Sequence, residues 1–560
     1  MNSELAQPSK RFISIRLHRR DAMVATALAT IFVIAGACRL VVGVCGVYHD
    51  DAIYVSTAKA LAQGDGYRLI SLPGAPIQTK YPVVYPALLS LVWRIWPRFP
   101  DNLLAMQGLS LLAGAAAVGV AYLYLVRFGY FSRRVAAASG LLCATVPFML
   151  YISTQTLSEA PFALLVLLAM WTLECQVRRR SSSRLSALVL GVVLGLPFLC
   201  RSIGVTLIPA GLVILYRARH RTRWVMCGLA GVTLPWVLWS LAGWGVWRQG
   251  PVNGYYADYA GWWTSSGLPF LKQVILSNLV VALSASASLG LEGLSTWLGQ
   301  LASPLSFVLF ATFGLLLWIS VFRQLRTHLV LPCFLIAYSV PILLCPWPPH
   351  RFLVPVLPLL LAYLVRIISA LLGPLLRIRR IELLPLAGLG VAIAANVLLQ
   401  HRHCELSRRT GYPYTGIPAE PVAWRSYEDV FAWLRTHAQP DDVVASGFDS
   451  MIYLYTDLRA FRPFRPCAAS LFYGVRLPPV GTCEDLVRTL RVHQPRYLVQ
   501  LPLPGFSEDE PFAELVNELH REYPGWLTTA YQSDDRRFVI FELNPEKQLI
   551  TDVLSIGPVQ

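Results

Sequence analysis

Residues 24–44 read VATALATIFVIAGACRLVVGV, and residues 48–54 read YHDDAIY. The first stretch is long enough to cross the ~30 Å hydrocarbon core of a bilayer as a helix. It lacks the small-residue cleavage site of a signal peptide and so reads as a retained anchor. The second stretch places two carboxylates, Asp50 and Asp51, a few residues beyond that anchor, where crowding like charges is costly. The position of this acid pair shapes the whole reading.

Working outward, 55% of the 560 residues are hydrophobic and only 14% are charged, far too apolar for an ordinary globular chain. Apolar runs of spanning length recur over residues 22–400, which predicts a polytopic α-helical membrane protein. The spans expected are 22–44, 104–126, 135–152, 160–176, 185–200, 203–216, 224–246, 305–322, 329–345, 352–371 and 382–400, about eleven or more. Residues 273–300, rich in Ser, Ala and Gly, read as a re-entrant or interfacial segment, because a full span there inverts every later loop. The net charge of +16 does not point to nucleic acid. Its excess lies in short clusters between apolar runs: Lys10 to Arg20, Arg127/Arg133/Arg134, Arg178 to Arg184, Arg217 to Arg223, Arg323/Arg326 and Arg366 to Arg380. Placing these inside satisfies the positive-inside bias. The chain is then a cytoplasmic basic tail (1–21), a transmembrane domain (22–400) and an extracytoplasmic C-terminal domain (401–560).

Within the first outer loop, 45–103, a helical pattern at 51–62 with apolar Ile53, Ala58 and Leu61 predicts a helix lying along the membrane surface. A turn follows at Gly64-Asp65-Gly66, and a second apolar stretch runs over 84–96. After residue 400, charge rises and short β-like runs alternate with helical patterns at 426–437, 484–493 and 511–521, which predicts a small α/β domain. Cys467 and Cys483 are the candidate disulfide there if that side is oxidising. No CxxC or HExxH pattern is present.

Each candidate functional residue has an ordinary explanation beside the chemical one. Asp50 and Asp51 suit a helix N-terminus, yet a carboxylate there can also act as a general base on an acceptor hydroxyl. Its neighbour can raise its pKa, or the two can share a divalent cation. Glu159 in Ser158-Glu159-Ala160-Pro161 suits a helix start. Arg201 and the His350-Arg351 pair can snorkel to headgroups. Lys80-Tyr81-Pro82 and Tyr85-Pro86 suit an interfacial aromatic anchor. Their grouping argues for more, because one topology sets the acids at 50, 51 and 159 and the cations at 80, 201 and 351 on one membrane face. Carboxylates beside cations suit a substrate carrying a sugar and a phosphate.

These patches resemble the GT-C membrane glycosyltransferases, in particular the aminoarabinose transferases, protein O-mannosyltransferases and bacterial polyprenyl-phosphate-sugar transferases. Tyr48-His49-Asp50-Asp51-Ala52-Ile53-Tyr54 is similar to the family's Asp-Glu-x-x-Tyr. Lys80-Tyr81-Pro82-Val83-Val84-Tyr85-Pro86 is similar to its Lys-Pro-Pro-x-Tyr, and His350-Arg351-Phe352-Leu353-Val354-Pro355 to its Arg-Tyr-x-x-Pro segment. The resemblance implies inverting transfer of a sugar from a polyprenyl-phosphate donor to a glycolipid, polysaccharide or protein acceptor, in the inner membrane of a bacterium. Asp50 then serves as base, with Asp51 and Glu159 near the reacting centre. Lys80 and Arg351 hold phosphate, while Tyr54, Tyr81, Tyr85, Arg201 and His350 line the substrate. Members of the family differ in metal dependence, so no particular metal is implied. The rival class is a transporter or flippase of a lipid-linked saccharide. Such proteins usually show internal repeats and mid-membrane binding residues. Here no repeat is evident and the charges hug one edge.

Overall fold

The computed structural model describes residues 16–179, 183–218, 222–247, 267–377, 384–502 and 504–544. Lys10, Arg11, Arg180, Arg219, Arg221, Arg248, Arg379 and Arg380 of the sequence reading lie outside the described residues. The chain opens with α1 (Arg19–Ala37), α2 (Asp50–Gln63), α3 (Val84–Ile95), α4 (Leu103–Arg127), α5 (Arg133–Cys143) and α6 (Pro147–Thr154). It continues with α7 (Glu159–Val177), α8 (Arg184–Cys200), α9 (Leu207–Arg217) and α10 (Thr222–Trp247). The helices Gly267–Ser288, Glu292–Gln324, Val330–Leu344, His350–Leu353, Leu357–Arg377 and Leu384–Thr410 complete the apolar part.

Among the described residues, seven helices are long and apolar enough to cross a membrane, or eight if α5 and α6 form one bent span. The protein is an integral membrane protein. The count by length and composition is lower than the eleven expected because α9 and Val330–Leu344 have only 11 and 15 residues, while α8, with 17, lies at the lower limit of spanning length. Leu384–Thr410 is long, but its second half is polar. The expected straight span 135–152 is corrected as well. It bends by 64° between α5 and α6, where Pro147 has no N–H to continue the ladder.

Residues 273–300 fall in Gly267–Ser288 and in the first part of Glu292–Gln324, which breaks at Ala302, two residues before Pro304. Two contacts show how the chain runs here. A Cβ built on Gly314 would strike the Leu283 carbonyl, and Trp318 Nε1 donates to Ser286 Oγ at 3.3 Å. The contacts advance in the same direction along both helices. The segment between them therefore doubles back before Ser303 and its successors descend.

Close helix packing relies on small residues. At the α8–α10 crossing, a Cβ on Gly191 would lie 2.0 Å from the Val225 carbonyl, and one on Gly228 would lie 2.0 Å from the Leu188 carbonyl. Helix starts are set locally, as Ser132 and Ser183 accept the amides of Val135 (3.4 Å) and Ser186 (3.1 Å).

The α2 helix also departs from expectation. Rather than showing a one-sided apolar stripe at a membrane surface, it is buried continuously from Asp51 to Ala58. Trp93 of α3 donates to the Val55 carbonyl at 3.1 Å. The helix Asp449–Thr456 of the C-terminal part closes another side, as Met451 packs where a side chain at Gly46 would sit. Gly64, at φ 88°, ends α2.

The C-terminal part folds as a five-stranded mixed sheet in the order β2-β1-β3-β5-β4. The strands are β1 (Val444–Ser446), β2 (Ala460–Phe461), β3 (Tyr497–Gln500), β4 (Leu527–Gln532) and β5 (Val539–Leu543). β1 runs parallel to β2 and β3, with Val444 opposite both Ala460 and Tyr497, whereas β5 runs antiparallel to β3 and β4. Helices Trp424–His437, Cys483–His493 and Asp509–Glu522 cover it. Cys467 and Cys483 are both free thiols, so the candidate disulfide is not formed.

The α8–α10 crossing leaves no room for a side chain at its two glycines. Gly228→Val there should lower the unfolding temperature in detergent by several degrees, in line with overpacking costs of about 1–3 kcal/mol. The same substitution at Gly231, whose Cβ position is open, should change it little. Thermal unfolding followed by circular dichroism reads the difference.

Candidate active site

Five helix ends converge at one end of the bundle: the starts of α2, α3, α7 and His350–Leu353, and the end of α8. The arginine clusters flank the opposite ends, where Arg133 pairs with Asp21 at 2.7 Å and Arg178 with Glu174 at 2.9 Å.

Arg351 is the centre of the convergence. Its Nη1 donates to Asp50 Oδ2 at 2.9 Å, and its Nε donates to Glu159 Oε1. The same Glu159 oxygen lies 2.8 Å from Arg201 Nη1, which also donates to Ser158 Oγ at 3.0 Å. Asp50 Oδ1 accepts the Tyr81 hydroxyl at 2.5 Å. The Arg351 guanidinium covers the Tyr48 ring at 4.9 Å, a cation–π contact that helps hold it flat. Charges from four distant segments are therefore linked as Asp50–Arg351–Glu159–Arg201. Glu159 is fully buried, which an isolated carboxylate would not tolerate. Among the described residues, Glu159 Oε2 and Arg351 Nη2 are buried and have no hydrogen-bond partner.

The two aspartates have different surroundings. Asp50 keeps a narrow opening to solvent, with 17% of its side chain exposed. Burial works against its charge, but the Arg351 guanidinium, the Tyr81 hydroxyl and Lys80 outweigh it and hold the carboxyl down at about 2. Asp51 is corrected: its carboxylate turns back on its own loop, accepting the amides of Gly46 (2.7 Å) and Tyr48 (3.1 Å). Burial dominates there and lifts the carboxyl to about 6. The pair is thus divided between an ion-paired acid and a loop-bracing one. Among the described residues, no three His, Cys, Asp or Glu side chains gather within reach of one metal ion.

Lys80 sits over the Tyr81 ring at 5.4 Å. Burial lowers its ammonium to about 8; Asp50 opposes the fall, while Arg462 and Arg465 of the C-terminal part add to it. Tyr54 reaches Ser158 Oγ at 2.9 Å and stands edge-on to both Tyr81 and Tyr85. Tyr85 is fully buried, with its hydroxyl on Ser110 Oγ at 2.7 Å, so it supports the site from behind rather than lining it. His350 is exposed at the start of its short helix.

Several contributors were not anticipated. Tyr48 and Ser158 lie inside motifs already quoted, yet their roles depend on which way the side chains turn. The C-terminal part also contributes directly. His49 Nε2 meets Asp449 Oδ1 at 2.5 Å, and Tyr455 Oη donates to the Gly43 carbonyl at 2.5 Å while receiving the Cys45 amide at 2.9 Å. His49 holds φ at 61° immediately before Asp50, a strained setting for a side chain of this size that its surroundings must enforce.

A helical membrane bundle with a charge-paired site at one end and an α/β appendage braced against it defines the fold class of the GT-C glycosyltransferases. Comparison with solved structures agrees. The Archaeoglobus fulgidus oligosaccharyltransferase in complex with zinc and sulfate superposes with a TM-score of 0.53 at 13% identity, over 92% of this chain and 72% of that one. AglB of the same organism, in complex with an inhibitory peptide and a dolichol-phosphate, gives 0.51 at 13% identity over 94% and 74%. ArnT from Cupriavidus metallidurans in the apo state gives 0.50 at 14% identity over 93% and 97%. More narrowly, residues 80–245 match the family model of dolichyl-phosphate-mannose-protein mannosyltransferases. A search of curated proteins finds no match. The resemblance to GT-C enzymes expected from the motifs is thus found.

The raised pKa of Asp51 sets a sign. The folded state binds its proton more tightly than the unfolded state, so this group's contribution falls as pH rises from about 4 through 6. Relative to an Asp51→Asn variant, the wild type should lose about 1–3 kcal/mol of stability between pH 4 and pH 7. Denaturation of both proteins across that range measures it, and parallel curves would show that the carboxylate does not titrate there.

Proposed function

We propose that this protein is an inverting glycosyltransferase that moves a sugar from a polyprenyl monophosphate to an acceptor hydroxyl on the extracytoplasmic face. The observation that carries the reading is the Asp50–Arg351–Glu159–Arg201 network beside Lys80 and Tyr81. The fold and the partial family match support it. The positive-inside bias of the arginine-rich helix ends favours a cytoplasmic N-terminus, and in this reading the network and the C-terminal domain lie outside.

In this reading Asp50 takes the proton from the acceptor hydroxyl as its oxygen attacks the anomeric carbon. The bond to the departing phosphate breaks on the opposite face of the sugar, and the configuration inverts. The leaving group is already anionic, so it needs cations more than it needs a general acid. Lys80 and the uncommitted Nη2 of Arg351 supply them. An Asp50 held near pKa 2 is ionised but only weakly basic. When the donor phosphate draws hydrogen bonds from Arg351, Asp50 loses its strongest partner and becomes more basic. Arrival of the donor thus prepares the base. Glu159 is a positioning residue in this scheme, fixing Arg351 and Arg201 relative to each other.

The test supplies purified protein with radiolabelled polyprenyl-phosphate sugars and candidate acceptors. Asp50→Asn should lower kcat by about 10²–10⁴-fold, and Arg351→Gln by about 10²–10³-fold. Unchanged turnover in Asp50→Asn, or saccharide crossing vesicles with no glycosidic bond formed, would refute the assignment.

Lys80 yields a separate expectation. Its ammonium deprotonates as pH rises through about 8, so the KM for the donor should climb above that pH. Lys80→Arg, charged throughout, should remove the rise. Donor titrations at pH 7 and pH 9 decide it.

A further inference from the structure

A second basic recess lies apart from this network, between the end of α1 and the helix Leu384–Thr410. Cys38, Arg39, Leu40, Val41, Val42, Cys404, Ser407, Arg408 and Gly411 line a cavity of about 200 Å³. Arg39 is its buried cation, only 3% exposed. Its Nη1 donates to Gln400 Oε1 at 3.0 Å and its Nη2 to the Tyr414 carbonyl, and its guanidinium lies over the Tyr151 ring at 5.1 Å. These partners carry no formal charge, and the Cys404 thiol is a further neighbour of the guanidinium. Among the described residues, no carboxylate forms an ion pair with Arg39, and its buried Nε has no hydrogen-bond partner. Glu292, an acid close enough to influence it, uses Oε2 on the Phe148 amide at 2.7 Å.

A guanidinium taken out of water without a counter-charge is expensive to keep, which favours an anion beside it. The remaining lining suggests the ligand's chemistry. Arg408 is exposed at the rim and adds a second positive charge. Ser407 Oγ accepts the Tyr414 amide at 3.2 Å, so its own proton is available to an acceptor. Leu40, Val41 and the exposed Val42 make one wall apolar. Two cations and a hydroxyl beside an aliphatic wall suit a tetrahedral anion that carries hydrocarbon. The volume falls below the ~300 Å³ of pockets that enclose whole small molecules, so the recess accommodates a headgroup and leaves its tails outside.

We propose that this recess binds a phosphate group, held by Arg39 within and Arg408 at the mouth, at a site distinct from the Asp50–Arg351 network. Two sources share that chemistry, an anionic lipid headgroup and free phosphate, and the apolar wall favours the lipid. Cys38 is exposed and lines the recess, which makes its thiol a reporter of occupancy.

The experiment measures maleimide alkylation of Cys38 in the full-length detergent-solubilised protein by peptide mass spectrometry. The additions are phosphatidylglycerol, diacylglycerol with the same tails, or inorganic phosphate. Phosphatidylglycerol should slow alkylation at least fivefold, and diacylglycerol should not. Arg39→Gln and Arg408→Gln should each abolish the protection. Equal protection by inorganic phosphate would support the site and identify the free anion as its ligand. Because Arg39 also ties α1 to Tyr414, its variant can fail to fold; Arg408, exposed at the rim, then carries the test. Protection by diacylglycerol as strong as that by phosphatidylglycerol, or protection undiminished in Arg408→Gln, would overturn the proposal.

Discussion

A single guanidinium, that of Arg351, holds the charged end of the molecule together. It joins a carboxylate at the start of α2 to another at the start of α7, while Arg201 at the end of α8 shares the second acid. Buried charges are tolerable only when matched by partners and hydrogen bonds. Each of these residues therefore depends on the others to remain where it is. Removing Arg351 would leave Asp50 without its counter-charge and Glu159 with Arg201 alone. The helix ends that carry them would then face a repulsion that packing has to absorb. The network is both an anchor for the helix ends and a concentrated electrostatic environment in which chemistry can occur.

The pattern of the sequence revealed which residues matter more readily than how they are oriented. Asp50, Glu159, Arg201 and Arg351 were legible because charges at the edges of apolar runs need an explanation, and one topology collects them on one face. Asp51 was legible as an acid but not as a loop brace, since no spacing rule distinguishes a carboxylate pointing at Arg351 from one pointing at Gly46. His350 and Tyr85 were carried along by adjacency to stronger signals, and structure separates them from the site. In the fold, apolar length located the helices, but it could not foresee the bend before Pro147 or the break at Ala302. Those follow from proline chemistry acting on helices whose neighbours permit a turn.

The surface-helix expectation for α2 erred for a related reason. Apolar residues at helical spacing were read as one face meeting lipid, whereas the C-terminal part supplies a second covering that no local pattern announces. Met451 fills the space beside Gly46, Ala460 donates to the Ser71 carbonyl at 2.9 Å, and Lys59 pairs with Asp457 at 2.8 Å. The appendage is thus one wall of the loop 45–103. The loop's strained approach to Asp50 is held by contacts from a region that is sequentially remote.

That remoteness imposes an order of events. His49 emerges early in synthesis, but its partner Asp449 follows 400 positions later. Until then the loop before Asp50 lacks the contacts that enforce its unusual backbone. The newborn chain can insert its helices one after another as they leave the ribosome, yet its charged end takes its final form only once the α/β part has folded. Folding of that remote part thereby becomes a condition for a braced first loop.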